Sequence, residues 1–215
     1  MKNIIFITGF YGSGKTEVAL NLATKNQVDY LIDLDVINPY FRSREMKDKL
    51  GMGIDIISSD LENDQFSDLP YLSKKIFLPF YHPEKKAIYD LGGSDLGAKL
   101  IKQFSAEDLQ QADLWMVINI FRSETMDEET IVKFIKKVEK ESGKAVTGLI
   151  NNTNLLSKTT WDDILLGEKT ILSVSDQLGI PVIYTCVEES IVQGIETFNH
   201  PILILKRFFQ KAWLK

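Results

Sequence analysis

Short apolar runs alternate along the chain with stretches whose apolar residues recur at helical spacing, the pattern of a parallel α/β sheet. Residues 3–8 form a β-branched and aromatic run that predicts a buried strand. Residues 17–23 follow with Val18, Ala19, Leu22 and Ala23 on one helical stripe. A second strand is predicted at 30–33, then a polar helix at 42–50 with Phe41, Met46 and Leu50 as its sparse apolar side. Gly51-Met52-Gly53 breaks that helix, and residues 54–57 predict a short edge strand. The acidic, irregular residues 59–72 predict a mobile surface loop. Residues 86–91 read as a further strand, followed by a helix with Leu96, Leu100 and Phe104 one turn apart.

Residues 114–121 are almost continuously apolar, as expected of a central strand covered on both faces. Thr125-Met126-Asp127-Glu128 predicts a capping box opening a helix to about Glu141, with Ile131, Phe134, Ile135 and Val138 as its buried stripe. Ser142-Gly143 ends it, and residues 145–150 predict another buried strand. Residues 160–178 are expected to be helical with a break at Gly167, stopped by Gly179 and Pro181. The last strand is placed at 182–186, and a closing helix runs from Pro201 to about Leu214. No linker rich in Pro, Gly or Ser interrupts this series, and no internal repeat is found. The expectation is one domain over residues 1–215, a three-layer α/β/α fold with a mostly parallel central sheet.

Composition narrows the class. In 215 residues, 44% are hydrophobic, enough for a sizeable core. The net charge of −5, with basic and acidic residues interspersed, argues against sequence-specific nucleic-acid binding. The single cysteine, Cys186, excludes an intramolecular disulfide and suits a reducing compartment. His82 and His200 stand alone and offer no metal cluster. Met1 leads straight into the first strand without a signal peptide, and no apolar run approaches the ~20 residues of a membrane span. A cytoplasmic protein is expected.

Candidate chemistry concentrates between the first strand and first helix. Gly9-Phe10-Tyr11-Gly12-Ser13-Gly14-Lys15-Thr16 matches G-x-x-x-x-G-K-[ST] at every fixed position, in the strand-loop-helix context that makes it a phosphate site. Gly9, Gly12 and Gly14 allow a tight turn that aims N–H groups inward, and the helix N-terminus adds its partial positive charge. Tyr11, Ser13 and Glu17 belong to the same nucleotide-binding stretch. Lys15 is expected to neutralise β/γ oxygens, and the Thr16 hydroxyl to hold Mg²⁺. Asp90-Leu91-Gly92-Gly93 ends its strand as a Walker B segment would, with Asp90 assigned to the Mg²⁺ shell and Gly93 close to the terminal phosphate.

Together with Asp33-Leu34-Asp35-Val36-Ile37-Asn38-Pro39, these segments resemble the ParA/MinD/Mrp-like branch of SIMIBI-class P-loop NTPases, which also holds the CbiA/CobQ nucleotide-binding domains. The resemblance implies that Asp35 orients the attacking water and touches the Mg²⁺ shell, making Lys15 and Asp35 the catalytic pair. It departs at one position. Dimeric members of that branch carry a lysine directly after the first P-loop glycine, where this chain has Phe10, so a nucleotide-sandwich homodimer is left open and not implied. Arg42 or Arg44 is the candidate replacement charge, against the alternative of a solvated helix face.

Asn151-Asn152-Thr153-Asn154 sits where a G-protein has N-K-x-D. Asn154 lacks the carboxylate that guanine wants, and Asn151 suits an adenine amine or N7, so ATP is favoured over GTP. Cys186-Val187-Glu188 is expected to form the other wall of the base pocket, as a loop after the last strand. In the closing helix, Ile202, Leu205, Phe208, Phe209 and Trp213 share one side and are expected to cover the sheet, without membrane contact.

The leading expectation is a Mg²⁺-dependent ATPase acting as a switch, with residues 36–50 as moving element and Tyr40, Phe41, Arg42 and Arg44 as protein-partner contacts. The alternatives are an ATP-dependent small-molecule or polynucleotide kinase, a GTPase, and a non-catalytic nucleotide-binding module.

Overall fold

The apolar run at residues 3–8 becomes the centre of a sheet in a computed structural model, which describes residues 1–35, 50, 53–58, 73–93, 95–192 and 198–208. Eight strands form it: β1 (Ile4–Gly9), β2 (Tyr30–Leu34), β3 (Asp55–Ser58), β4 (Ala87–Leu91), β5 (Ala112–Ile118), β6 (Gly148–Asn151), β7 (Val182–Glu188) and β8 (Ile202–Leu205). Their spatial order is β3-β2-β4-β1-β5-β6-β7-β8, and every pairing is parallel. Parallel strands must be covered on both faces, which is why β1, β2 and β4 are mostly apolar and buried at every position, Asp33 and Asp90 near the carboxyl ends included.

Helices α1 (Lys15–Asn26), α2 (Asp95–Leu100), α3 (Ala106–Gln110), α4 (Glu128–Ser142) and α5 (Trp161–Leu178) connect these strands among the described residues. Val18, Ala19 and Leu22 of α1 pack on one face of the sheet, against Ile5, Ile7, Ile88, Trp115 and Val117. The opposite face carries Phe6, Tyr89, Leu114 and Met116, covered by Leu100, Phe104, Ile131, Ile135, Ile171 and Val174. The architecture is three-layer α/β/α. Phe6 lies 4.6 Å from the Tyr89 ring and 5.2 Å from Phe104, and the buried Tyr89 hydroxyl donates to the Ile76 carbonyl at 2.6 Å.

Four expectations are corrected. Residues 202–205 are not helical: they form β8, parallel to β7, with Leu203 buried and Ile204 46% exposed, the alternation of an edge strand. The aliphatic run after Pro201 suits a strand, and the apolar side read onto a closing helix does not exist there. β7 runs on to Glu188, so Cys186 and Val187 are buried strand residues and not a loop. The cap of α4 is Asp127, in reciprocal bonds with Thr130, whereas the buried Thr125 hydroxyl donates to the Asn119 carbonyl at 2.7 Å. Finally, α5 is unbroken at Gly167, which is there for close approach: a Cβ at that position would run into Thr153.

The edge strand near residues 54–57 is present as β3. The helix expected at 42–49 and the loop at 59–72 lie outside the described residues. Because all strands run the same way, the loops after β1, β2, β4, β5 and β6 open on one edge, where ligands of such sheets collect.

Candidate nucleotide site

The loop after β1 is built around three close approaches. Gly12 and Gly14 adopt φ of 75° and 84°, a left-handed backbone that side-chain-bearing residues avoid. A Cβ on Gly93 would stand 2.7 Å from Lys15 Nζ and 3.0 Å from the Tyr11 backbone, so the turn after β4 lies directly on the loop. A Cβ on Gly92 would stand 3.2 Å from Asp35 Oδ1, which brings the end of β2 to the same place. Three segments distant in sequence therefore meet around one small space: the glycine loop, Asp35, and Asp90-Leu91-Gly92-Gly93.

Inside it, the Thr16 hydroxyl donates to Asp90 Oδ2 at 2.6 Å. Asp90 Oδ1 is buried and has no hydrogen-bond partner. Burial is the largest influence on Asp90 and, reinforced by Asp33 and Asp35 against the opposing pull of Lys15 and Thr16, raises its pKa to about 7. Lys15 is buried too, and desolvation lowers its pKa against the opposing pull of Asp90 and Asp35. The Asp35 N–H donates to Asp33 Oδ1 at 2.9 Å, fixing the turn that presents the second carboxylate. A buried cation, two carboxylates and a hydroxyl converge under the glycine loop.

This set fits Mg²⁺ held jointly with phosphate. Among the described residues no group of three or more His, Cys, Asp or Glu is poised to hold a metal by itself. Mg²⁺ in such sites takes one or two carboxylates or hydroxyls and completes its shell with water and substrate phosphate. The orphaned Asp90 oxygen and the Thr16 hydroxyl are the groups that would meet it.

The outer side of the loop is held by two residues that sequence reasoning did not assign. Asn152 Nδ2 donates to the Ser13 carbonyl at 2.7 Å, and Arg122 Nε donates to the Gly12 carbonyl at 2.8 Å. Asn152 carried a signal, since it lies within the asparagine run, but one position later than the residue singled out. Arg122 carried none, because a lone arginine past an apolar strand reads as solvated.

The remaining predicted residues are placed as follows. Asn151 is fully buried: its Nδ2 donates to the Ile164 carbonyl and to Glu168, both at 3.2 Å, and its Oδ1 accepts from Thr153 N–H at 3.0 Å. Glu168 also receives the Thr185 hydroxyl, with His200 Nε2 at 3.2 Å from its other oxygen. Asn154 donates to the Asn152 carbonyl at 2.7 Å and accepts from Leu156 N–H at 3.3 Å. Both carboxamides are thus spent on shaping the loop after β6. Cys186, its thiol pKa pushed up by burial, and Val187 lie inside the sheet. Glu17 accepts from Phe208 N–H at 3.0 Å, and Tyr11 is 67% exposed at the loop's mouth. Phe10 packs edge-on against Phe134 of α4 with ring centres 5.9 Å apart, an apolar contact where a charge was looked for. Arg42 and Arg44 lie outside the described residues.

No protein-family model matches the chain, and no curated protein matches it in sequence. Solved structures do match. The chain is similar in fold to the signal recognition particle receptor FtsY. The Elizabethkingia anophelis receptor in complex with GDP aligns with a TM-score of 0.57 at 18% identity, over 93% of this chain and 61% of the neighbour. Chloroplast FtsY from Physcomitrella patens gives 0.55 at 17% identity, over 86% and 58%. The chain spans about three-fifths of the length of these neighbours. At such identity the likeness is one of fold, and it extends to the P-loop NTPase architecture without singling out the ParA/MinD or CobQ branch.

Proposed function

We propose that this chain is a Mg²⁺-dependent nucleoside triphosphatase of the SIMIBI class whose nucleotide state governs its contact with a partner protein. The observation that carries this reading is the Thr16–Asp90 hydrogen bond beside the buried Lys15, roofed by Gly93 and flanked by Asp35. Phosphoryl transfer needs positioning and charge stabilisation more than covalent chemistry, and these groups supply both.

In the proposed reaction, Asp35 holds a water in line with the terminal phosphorus through a carboxylate that stays on the turn set by Asp33. The oxygen of that water bonds to phosphorus as the bond to the bridging oxygen breaks, giving a nucleoside diphosphate and inorganic phosphate. Lys15 and the loop amides stabilise the charge that moves onto the bridging and terminal oxygens. Mg²⁺, when bound through Thr16 and Asp90, supplies Lewis-acid neutralisation of the phosphates. The partner surface is assigned to residues 36–50, directly after Asp35, where loss of the terminal phosphate is felt first.

Two features bear on the nucleotide. The neighbour with GDP bound makes a GTPase a live assignment. The preference for ATP read from Asn151 and Asn154 loses its support, since both side chains are committed elsewhere.

The test is a hydrolysis panel with ATP and GTP on purified protein, with and without added acceptors. Lys15→Ala is expected to abolish measurable nucleotide binding. Asp35→Ala is expected to retain it and lower turnover by about 10²-fold or more. Unchanged binding by Lys15→Ala sinks the site. Triphosphate that stays intact until a hydroxyl-bearing acceptor is added makes the protein a kinase.

A further inference from the structure

Glu168 is a buried carboxylate that the phosphate chemistry does not use. It lies on α5 at 5% exposure, where an ionised group is costly unless its oxygens are satisfied. Oε2 takes the Asn151 amide and the Thr185 hydroxyl. Oε1 makes no hydrogen bond and stands 3.2 Å from His200 Nε2. The Thr185 hydrogen is spent on Glu168, so its oxygen can only accept from His200 at 2.9 Å, and Nε2 therefore carries a hydrogen. The end of β6, the middle of β7 and the residues before β8 thus converge on one side chain of α5.

The consequence reaches Asn151. Its Nδ2 faces two acceptors, Glu168 and the Ile164 carbonyl, so the amide cannot be turned over without setting its oxygen against both. Oδ1 is thereby aimed at the Thr153 N–H, 3.0 Å away, and closes an Asx turn with Asn152 at its apex. The Asn152 N–H is held in turn by the Ile118 carbonyl at 2.7 Å.

From this apex the Asn152 side chain donates to the Ser13 carbonyl at 2.7 Å. In a planar trans peptide the C=O and N–H point opposite ways, so this bond turns the Gly14 N–H away from Asn152. Gly14 caps α1 directly before Lys15, the place in such loops where backbone amides meet phosphate.

We propose that Glu168 is a positioning residue for the phosphate-binding loop. By fixing the Asn151 amide it sets the Asx turn through which Asn152 orients the Ser13–Gly14 peptide. This rests on the nucleoside triphosphate reading above and names the part of the fold that preorganises the phosphate cradle.

The test is calorimetric titration of the full chain, in Mg²⁺ buffer, with inorganic tripolyphosphate, a probe that has neither base nor sugar. Glu168→Met removes the acceptor at similar side-chain length and is expected to weaken binding by about tenfold, the scale of one hydrogen bond to a charged group. Asn152→Ala is expected to cost about the same. Because both lie on one path, the double variant should bind within about twofold of Asn152→Ala alone. Glu168→Gln keeps an acceptor oxygen for Asn151 and is expected to restore affinity to within about threefold of wild type. Thr185→Val removes a different donor from the carboxylate, and should lower the thermal midpoint while changing affinity by less than about twofold.

Losses that add in the double variant, to about 100-fold, overturn the proposal, since Glu168 then acts by another route. So does wild-type affinity in Glu168→Met. A loss in Thr185→Val as large as in Glu168→Met also overturns it, because Glu168 is then an ordinary support of the core. Should Glu168→Met not fold, Asn151→Ala cuts the same path one link further on and carries the same expectations, alone and with Asn152→Ala. If wild type does not bind tripolyphosphate, or Lys15→Ala binds it as well as wild type, the P-loop reading itself falls, and the proposal with it.

Discussion

Asp90 has one oxygen on Thr16, the other unpartnered, and no solvent, an arrangement that disfavours its charge when nothing cationic is bound. Its pKa rises from 3.8 to about 7 on folding. Between those values the folded chain binds a proton that the unfolded chain has released. The contribution to stability is therefore complete below about pH 4 and is lost as pH rises through about 7, a swing on the order of 4 kcal/mol. In protein free of nucleotide and divalent ions, Asp90→Asn is expected to remove this decline. Thermal midpoints should place the variant above wild type at pH 8, with the gap closing towards pH 4. A gap independent of pH would mean that Asp90 is not protonated in the apo fold. Lys15 belongs to the same balance, since its charge opposes the rise in Asp90 while burial disfavours its own.

At the scale of elements, Gly167 joins a helix to the site. It sits inside α5, where alanine would gain about 1 kcal/mol in helix propensity. Its added Cβ would meet Thr153 and approach Asn151 Oδ1 at 2.9 Å, so the gain is outweighed by overpacking. Gly167→Ala is expected to lower unfolding stability by roughly 1–3 kcal/mol in urea titration. It should also weaken nucleotide binding through displacement of the Asn152–Ser13 bond. Stabilisation would show that the helix can simply slide.

The same glycine illustrates what was legible in the sequence. Short apolar runs and period-3.6 patterning located most strands and the longer helices, and the three segments that meet around Lys15 could be singled out because each is a short local motif. Gly167 looked like a breaker, since helix–loop proximity has no local signature. Residues 202–205 looked like the start of a helix because Ile-Leu-Ile-Leu fits either period, and only pairing with β7 decides it. Asn151 and Asn152 are adjacent and chemically identical, so the one facing the glycine loop could be told only from the register of β6. Arg122 acquires meaning solely from Gly12, 110 residues away.

At the scale of the molecule, the first helix and the last described segment are stitched together. Asn21, buried on α1, donates to the Lys206 carbonyl at 2.9 Å and accepts from the Lys206 N–H at 2.8 Å. One turn earlier, Glu17 receives the Phe208 N–H. Asn21→Ala would strand both backbone groups of Lys206, and it is expected to cost about 1–3 kcal/mol. Hydrogen exchange should show the loss first at the β8 amides, with the central strands protected until global unfolding. Uniformly faster exchange would show that β8 has no separate opening.

These bonds close over 185 and 191 residues of chain. For a polypeptide emerging from the ribosome, the helix that follows the glycine loop is made long before the segment that braces it. Residue 208 must clear the exit tunnel before Glu17, the neighbour of Thr16, finds its partner. The brace of the motif is in this way tied to a segment made 191 residues later, and a nascent chain that stops short of residue 208 would carry the motif without the brace.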